Sequence, residues 1–524
     1  MTINSTFRSL VLLVASSVAL ASKFHGGLTI RTSTGTYTGL INPQYSNVRE
    51  FRSIPYAKPP TGSLRWLPPD QLSPSTEHHY STIFPPSCPQ YFSAAKSIWN
   101  QYLTDFLIYN GNENYTAGLS AQTTSEDCLK LAVWTPASAT SNSSLPVLMF
   151  MTGGGFATGG IQIPYQLPPA WVARSQSHIV VTINYRVNIM GFPNAAGLQE
   201  QNIGILDQRA ALEWLYSNIK EFGGDPEAIT LWGQSAGSES TDYHAYAFYK
   251  NPIARALFME SGTALKSLSS HDFEQTNFTF VAQNFGCGFP NNSAAELDCM
   301  RQVPSTMIQN FVGQYQDSGA TPGLSFGPIA DEKVIFSNYP ARAKAGYIAK
   351  IPAIISNCAN EEATLYTYPV NNVTAGPYLP AVNAATLSSW ICVSANTSSL
   401  RQAAGLETYR YQNAGNFSNL SPLWWMGAYH DSDLPMILGT YSIARGNGTE
   451  FEKEVSETIQ DYLLAYISDP ANGLKKLGWI SYDTAAADGG TMLRFGADGK
   501  AAQNVTGLEV DGPCRGIGTY NPSP

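Results

Sequence analysis

Short apolar runs alternate with longer mixed stretches along much of the chain. Four runs read as strands, at residues 147–151, 179–184, 228–232 and 351–356. A continuous apolar run is typical of a strand that is buried on both faces, as in a parallel sheet. Between the second and third runs, residues 203–222 place most apolar side chains on one helical stripe. The alternation predicts an α/β fold with a large, mostly parallel sheet flanked by helices.

The stretches around these runs have different patterns. Residues 26–45 contain short alternating runs, which predict an antiparallel hairpin or meander. Residues 51–60 are too rich in proline for regular structure. Residues 291–337 and 366–425 are irregular, and we interpret them as helical insertions that cap the sheet.

The first 21 residues have the pattern of a secretory signal peptide. Arg8 precedes an apolar stretch at residues 10–20, and Ala19-Leu20-Ala21 has the small residues of a cleavage site. The alternative, a membrane anchor, needs roughly twenty apolar residues, and this stretch is shorter. We therefore expect a secreted, extracellular protein without an integral membrane segment, in which residues 22–524 form a single domain.

The composition and net charge of the chain indicate which kinds of partner it can bind. The 524 residues are 43% hydrophobic and 13% charged, enough apolar material for a large core. The formal net charge of −9 argues against a nucleic acid as partner, because the phosphate backbone repels an acidic surface. Composition therefore disfavours nucleic acids and anionic membranes as partners, and it leaves the oligomeric state open.

Glycosylation sequons and cysteines agree with export. Asn-x-Ser/Thr sequons in the mature chain predict surface glycans at several of Asn114, Asn142, Asn277, Asn291, Asn372, Asn396, Asn416, Asn419, Asn447 and Asn504. The seven cysteines are scattered and lack the CxxC spacing of a zinc site, so disulfides are expected and a metal is not. Six paired cysteines would allow fifteen connectivities, and one thiol is left over.

A Gly-x-Ser-x-Gly sequence follows the third apolar run, at residues 233–237. In a strand-to-helix turn, these glycines remove side chains that would clash with neighbouring backbone. Ser235 would then stand clear of the sheet edge as a nucleophile, with the amide of Ala236 beside it. The alternative is an ordinary Gly-Ser turn.

Several phrases together resemble the type-B carboxylesterase and cholinesterase family of α/β-hydrolases. They lie at residues 54–60, 64–66, 125–129, 153–156, 183–186, 202–209 and 222–237. The resemblance extends from about residue 26 to the C-terminus and is densest between residues 51 and 262. It implies the α/β-hydrolase fold and a serine hydrolase that cleaves carboxylic esters without a cofactor.

A nucleophilic serine needs a base, and the chain order in this fold is serine, acid, histidine. Beyond Ser235 the histidines are His244, His271 and His430, and only His430 follows the fourth apolar run. The loop at His430 is also similar to the family's histidine loop. For the acid, the family's acidic-pair phrase implies Glu362, and Glu361 is the alternative.

The resemblance also implies an oxyanion hole, formed by the amides of Gly154, Gly155 and Ala236. The chain departs from many relatives beside the nucleophile, where Gln234 replaces Glu. This change weakens the case for a cationic choline substrate. It also removes one negative neighbour of the imidazolium. Thr152 and Ser238 are further departures.

Family pairing implies disulfides between Cys88 and Cys128 and between Cys287 and Cys299. The pairing of Cys392 with Cys514 is a weaker inference, and it would leave Cys358 as a buried free thiol.

Two aromatic segments have alternative interpretations. Residues 98–107, inside the loop between the first two cysteines, have apolar positions at helical spacing, so they form either a mobile lid or a helix packed permanently on the body. Trp424, Trp425 and Met426 precede the histidine, and they line the acyl pocket or pack in the core.

The leading hypothesis is a secreted serine hydrolase that acts on a small-molecule or lipid ester through an acyl-enzyme on Ser235. One alternative is an acyltransferase or coupling enzyme that passes the acyl group to another acceptor. The other is a non-catalytic adhesion protein of the same family. The sequence does not identify the ester.

Overall fold

The computed structural model describes residues 27–108, 124–268 and 270–524. Its strands are β1 (Thr29–Thr32), β2 (Gly35–Thr38), β3 (Leu40–Ile41), β4 (Val48–Pro55), β5 (His78–Tyr80), β6 (Lys130–Pro136), β7 (Leu145–Met151), β8 (Ile179–Ile183), β9 (Gly224–Gln234), β10 (Ala256–Glu260), β11 (Ala353–Cys358), β12 (Thr408–Asn413), β13 (Thr491–Ala497) and β14 (Lys500–Thr506).

Helices connect and cover these strands. The α-helices are α1 (Ile98–Gln101), α2 (Pro169–Ser175), α3 (Asn188–Gly191), α4 (Ile203–Asn218), α5 (Ala236–Ala247), α6 (Thr276–Asn284), α7 (Ser293–Met300), α8 (Ser305–Asp317), α9 (Tyr339–Lys344), α10 (Leu379–Thr386), α11 (Cys392–Ala403), α12 (Leu434–Leu438), α13 (Glu450–Ser468), α14 (Gly473–Lys476) and α15 (Gly507–Val510). Single 3₁₀ turns include Thr104–Phe106, Ile219–Phe222 and Glu361–Thr364, and a π-helical turn spans Leu387–Ile391.

Eleven strands form one sheet in the order β14-β13-β12-β11-β10-β9-β7-β8-β6-β4-β3. The seven strands from β13 to β8 are parallel, and antiparallel strands extend the sheet at both edges. This arrangement confirms the predicted α/β-hydrolase fold with a large, mostly parallel sheet. A separate small sheet contains the predicted N-terminal hairpin, β1 and β2.

Both faces of the parallel strands are buried, which explains their apolar runs. In β7, Met149 and Met151 belong to one hydrophobic cluster, while Leu148 and Phe150 belong to another. Because successive strand residues point to opposite faces, the two clusters lie on either side of the sheet. Trp232 of β9 packs on Phe150 with ring centroids 4.3 Å apart.

Two predictions about irregular regions are wrong. Residues 51–55 are not irregular, because they form the end of β4. The stretch 366–425, interpreted as a helical insertion, contains the sheet strand β12 as well as helices. That strand is polar in sequence, but its Arg410 is buried and donates hydrogen bonds to Asn357 and Asp511. Because its buried polar side chains are paired, this strand lacks the apolar run by which the other buried strands were predicted.

The disulfides join Cys88 to Cys128, Cys287 to Cys299 and Cys392 to Cys514, as predicted, and Cys358 is free and buried. Within the described residues no helix is both long and apolar enough to cross a bilayer.

The sequons differ in accessibility. Asn142, Asn291, Asn372, Asn396, Asn416, Asn447 and Asn504 are exposed, and Asn114 lies outside the described residues. Asn277 and Asn419 are buried, and their amides donate to the carbonyls of Ser325 and Tyr441. The expectation of a surface position is therefore wrong for these two sequons.

Candidate active site

The turn between β9 and α5 presents Ser235. Its backbone has φ 54° and ψ −121°, a conformation that non-glycine residues rarely adopt. The Ser235 amide donates to the Glu260 carbonyl over 2.8 Å, and its own carbonyl accepts from the Glu239 amide over 2.9 Å. The neighbouring strand and helix thus hold the serine in a strained strand-to-helix turn, the geometry expected of a Gly-x-Ser-x-Gly sequence.

Glycines make this turn possible. A Cβ atom on Gly233 would overlap the Gly237 carbonyl, and one on Gly237 would overlap the Met151 carbonyl. The backbone at both positions therefore approaches another chain segment too closely for any side chain, as the sequence predicted.

His430 lies beside a buried carboxylate at the end of β11. A single β-bridge between Asn360 and Tyr429 brings the two loops together. His430 Nδ1 is 2.6 Å from Glu361 Oε2, and both side chains are buried. The other oxygen of Glu361 accepts from the Cys358 amide over 2.8 Å and from Asn357 Nδ2 over 3.3 Å. Both oxygens of this carboxylate therefore have hydrogen-bonding partners, which hold the carboxylate in one orientation.

The prediction that Glu362 orients the histidine is corrected by this geometry. Glu362 Oε2 instead accepts a 2.6 Å hydrogen bond from Trp390 Nε1. The Trp390 ring packs against the imidazole of His430 with centroids 4.4 Å apart. Adjacent residues of one 3₁₀ turn point in different directions, so the alternative, Glu361, is the residue that contacts His430.

A cavity of about 480 Å³ joins the predicted site residues. Its lining includes Ser235, His430, Gly154, Gly155 and Ala236. This volume is in the usual range for small-molecule sites. Aromatic side chains form much of the wall: Tyr91, Phe92, Trp99, Phe106, Phe156 and Trp390. The cavity can therefore hold an apolar or ring-bearing group against the serine.

The glycine loop after β7 passes directly beside the serine. A Cβ atom on Gly153 would be 3.0 Å from Ser235 Cβ. Gly154 and Gly155 have φ values of 104° and 61°, in the left-handed region that favours glycine. The glycine loop and Ala236 therefore line the cavity on the same side as the serine.

Opposing effects act on the His430 imidazole. Burial lowers the pKa of His430, whereas Asp431 and then Glu361 raise it, and the pKa is raised overall from its usual value. Asp431 Oδ1 is 3.4 Å from His430 Nε2. Burial in turn raises the pKa of Asp431 to about 6. The imidazole therefore lies between two carboxyl groups.

Sequence reasoning missed three charged groups that line this cavity: Asp431, Glu239 and Lys266. Lys266 Nζ is 3.3 Å from the centroid of the Trp390 ring, on which it makes a cation–π contact. Burial raises the pKa of Glu239 to about 7. Asp431 directly follows His430, and Glu239 lies one helical turn after Ser235. This closeness in sequence was the signal that could have identified them.

The aromatic segments also have clear positions. Trp99 and Phe106 line the cavity, and Phe106 packs on Tyr165 at 4.8 Å. Residues 98–106 form helix α1 and a separate 3₁₀ turn, and both pack on the body of the protein. None of Trp424, Trp425 and Met426 is among the described residues that line the cavity. Trp424 is exposed, and the other two are in the core.

Comparison with known proteins identifies the family of this chain. Residues 27–379 match the family model of the carboxylesterase family. The chain is 38% identical over 519 residues to a chlorogenic acid esterase of Aspergillus niger, covering 96% of each chain. It is 36% identical over 530 residues to secreted lipase 5 of Gibberella zeae, covering 97% of each. A cholinesterase of Mus musculus is 31% identical over 351 residues, 65% of this chain and 54% of that protein. The family resemblance is thus confirmed: the chain belongs to the carboxylesterase family and is a carboxylic ester hydrolase.

Proposed function

We propose that the protein is a secreted serine esterase in which Ser235, His430 and Glu361 form the catalytic triad. The observation that carries the proposal is the 2.6 Å contact between His430 Nδ1 and Glu361 Oε2, at the wall of the cavity that Ser235 also lines. Nδ1–H donates to the carboxylate, so Nε2 is left with the lone pair that a general base needs.

The reaction proceeds in two halves. His430 Nε2 accepts the Ser235 hydroxyl proton as Oγ attacks the ester carbonyl, and the amides of Gly154, Gly155 and Ala236 stabilise the resulting oxyanion. The imidazolium then protonates the departing alcohol, which leaves an acyl group on Oγ. A water molecule, deprotonated by the same histidine, attacks this acyl-enzyme and releases the acid and free serine.

Secretion is part of the proposal. Residues 1–21 have the signal-peptide pattern, and the three disulfides suit an oxidising compartment. A relative that aligns along nearly the whole chain is named a secreted lipase. Expression in a eukaryotic host should therefore release the protein into the medium with a new N-terminus near residue 22.

The proposed substrates are esters whose acyl group carries an aromatic ring. Six aromatic side chains line the cavity, and ring stacking favours such groups. The relative from Aspergillus niger is named a chlorogenic acid esterase. We expect a higher kcat/KM for p-nitrophenyl cinnamate than for p-nitrophenyl palmitate, two esters that share a leaving group and differ only in the acyl chain. The reverse order would assign the cavity to long acyl chains.

The mechanism is tested at the nucleophile. The wild-type protein should hydrolyse p-nitrophenyl butyrate and should be labelled on Ser235 by a serine-directed phosphonate. Ser235→Ala should lose both properties while its thermal melting point is unchanged. Retained hydrolysis by Ser235→Ala would refute the acyl-enzyme. Acyl transfer is tested by adding an alcohol and measuring the new ester against the free acid.

A further inference from the structure

Two carboxyl groups contact the imidazole of His430 from opposite ring nitrogens. Glu361 is at Nδ1, where it holds the tautomer. Asp431 Oδ1 is 3.4 Å from Nε2. In the proposed mechanism Nε2 is the atom that takes and returns the proton. A carboxylate at that atom acts on the charge that forms during the reaction.

Gln234, the residue before the nucleophile, holds this second carboxyl group. Its Nε2 amide donates a hydrogen bond to Asp431 Oδ1 and is 3.2 Å from His430 Nε2. Gln234 itself is buried at the end of β9. The strand that positions Ser235 therefore also positions Asp431.

Asp431 has an unusual backbone conformation and is largely enclosed. Its φ is 77°, in the left-handed region, and only 14% of its side chain is exposed. A left-handed residue with a largely enclosed carboxyl group depends on its surroundings, and such residues cluster at functional sites. Asp431 also lines the cavity beside Ser235.

We propose that Asp431 is a positioning residue that stabilises the protonated His430 from the Nε2 side, with Gln234 holding it in place. The inference rests on the proposed function, in which His430 is protonated twice per turnover. An opposite charge within about 4 to 6 Å favours the charged form of an ionisable group, so Asp431 assists each proton transfer from oxygen to Nε2. Asp431 thus supplies the negative neighbour that Gln234 lacks.

Other charged groups also face the imidazole. Glu361 approaches from the end of β11, and Lys266, in the loop after β10, lowers the pKa of His430. Glu239 of α5 lines the same cavity. The Asp431 substitution removes none of these groups, so the difference between wild type and variant measures the Asp431 contribution.

Asp431→Asn is the central test, since asparagine tolerates the left-handed conformation as aspartate does. We expect kcat/KM to fall about tenfold, and the acid limb of its pH profile to move about one pH unit lower. Gln234→Glu should move the limb in the opposite direction, because it adds a carboxylate near Nε2. The double variant Gln234→Glu/Asp431→Asn restores one carboxylate, so it should recover most of the activity that Asp431→Asn loses.

Asp431→Gly separates structure from chemistry. Glycine adopts a φ of 77° without strain, so this variant should melt at or above the wild-type temperature and still lose as much activity as Asp431→Asn. The proposal is overturned if both variants keep wild-type kcat/KM and the wild-type acid limb. It is also overturned if the double variant is no better than Asp431→Asn.

An NMR titration of the His430 imidazole distinguishes this inference from the proposed function, because it needs no substrate. Asp431→Asn should lower the pKa of His430 by about one unit relative to wild type. An unchanged pKa in a protein that hydrolyses esters refutes the inference alone. If the pKa is lowered but the protein shows no serine-dependent hydrolysis, the charge coupling between Asp431 and His430 stands. The catalytic role of Asp431 and the proposed function are then both refuted.

Discussion

Glu361→Gln should reverse the tautomer of His430. The wild-type carboxylate accepts from Cys358 N–H and Asn357 Nδ2 at one oxygen and contacts His430 Nδ1 with the other. A glutamine in this position has one acceptor oxygen and one NH₂ donor. The Cys358 amide and Asn357 Nδ2 both donate at the Oε1 position, so the glutamine oxygen must lie there. The NH₂ group of the glutamine then faces His430 Nδ1. Nδ1 must then accept, and the proton moves to Nε2.

A histidine with its proton on Nε2 cannot act as base toward Ser235. Replacing the triad acid of a serine protease by its amide has this effect and costs about 10⁴ in kcat. We expect a loss of about 10³- to 10⁴-fold in kcat for Glu361→Gln, equal to about 4 to 5.5 kcal/mol of activation free energy. The melting temperature should change little, since the size of the side chain is conserved.

Glu362→Gln is the matched control. Its oxygen can still accept from Trp390 Nε1, so the ring that packs on His430 stays in place. We expect kcat within about fivefold of wild type, because only the charge of this hydrogen bond is lost. Both variants are assayed with p-nitrophenyl butyrate, and active sites are counted with a phosphonate. A large loss in Glu362→Gln together with an active Glu361→Gln would refute the assignment of the acid.

Three further predictions concern charge and stability. Lys266→Met should move the acid limb of kcat/KM to higher pH, because this lysine lowers the pKa of His430; an unmoved limb would contradict the coupling. Replacing Cys392 and Cys514 by serine opens a disulfide between residues 122 apart, and should lower the free energy of unfolding by about 2 to 5 kcal/mol in chemical denaturation. Burial lowers the pKa of His244 to about 3, so the folded protein binds this proton less readily than the unfolded chain, and stability falls as pH drops from about 6.5 toward 3. His244→Phe should make melting temperature less dependent on pH in that window, and an unchanged slope would argue against a neutral buried imidazole.

Local sequence patterns were sufficient to predict part of the candidate site. Ser235 follows an apolar strand and lies between glycines, and both features act over a few residues. His430 was found by its order after the fourth apolar run. No sequence pattern distinguished Glu361 from Glu362, because adjacent residues share their local sequence. Only the direction of each side chain in the 3₁₀ turn decides which carboxylate reaches the imidazole.

Other features depended on contacts between distant segments. Strand β12 is buried although its sequence is polar, because Arg410 meets Asp511 about a hundred residues later. Two sequons were misjudged for a related reason, since Asn277 and Asn419 donate to carbonyls elsewhere in the fold. Burial of a polar side chain depends on its partner, and a single segment does not reveal that partner.

The sequence by itself determined the fold class, the disulfide framework through family resemblance, and the elbow that presents Ser235, because these follow from periodicity, glycine positions and recognisable phrases. The tertiary structure alone decided that Glu361 contacts His430, that Trp390 packs on its ring and that Asp431 meets its Nε2 atom. The physical reason is the range of the interactions. Strand burial and turn geometry are properties of neighbouring residues, whereas the charge environment of an imidazole depends on which loops the sheet brings together at its edge.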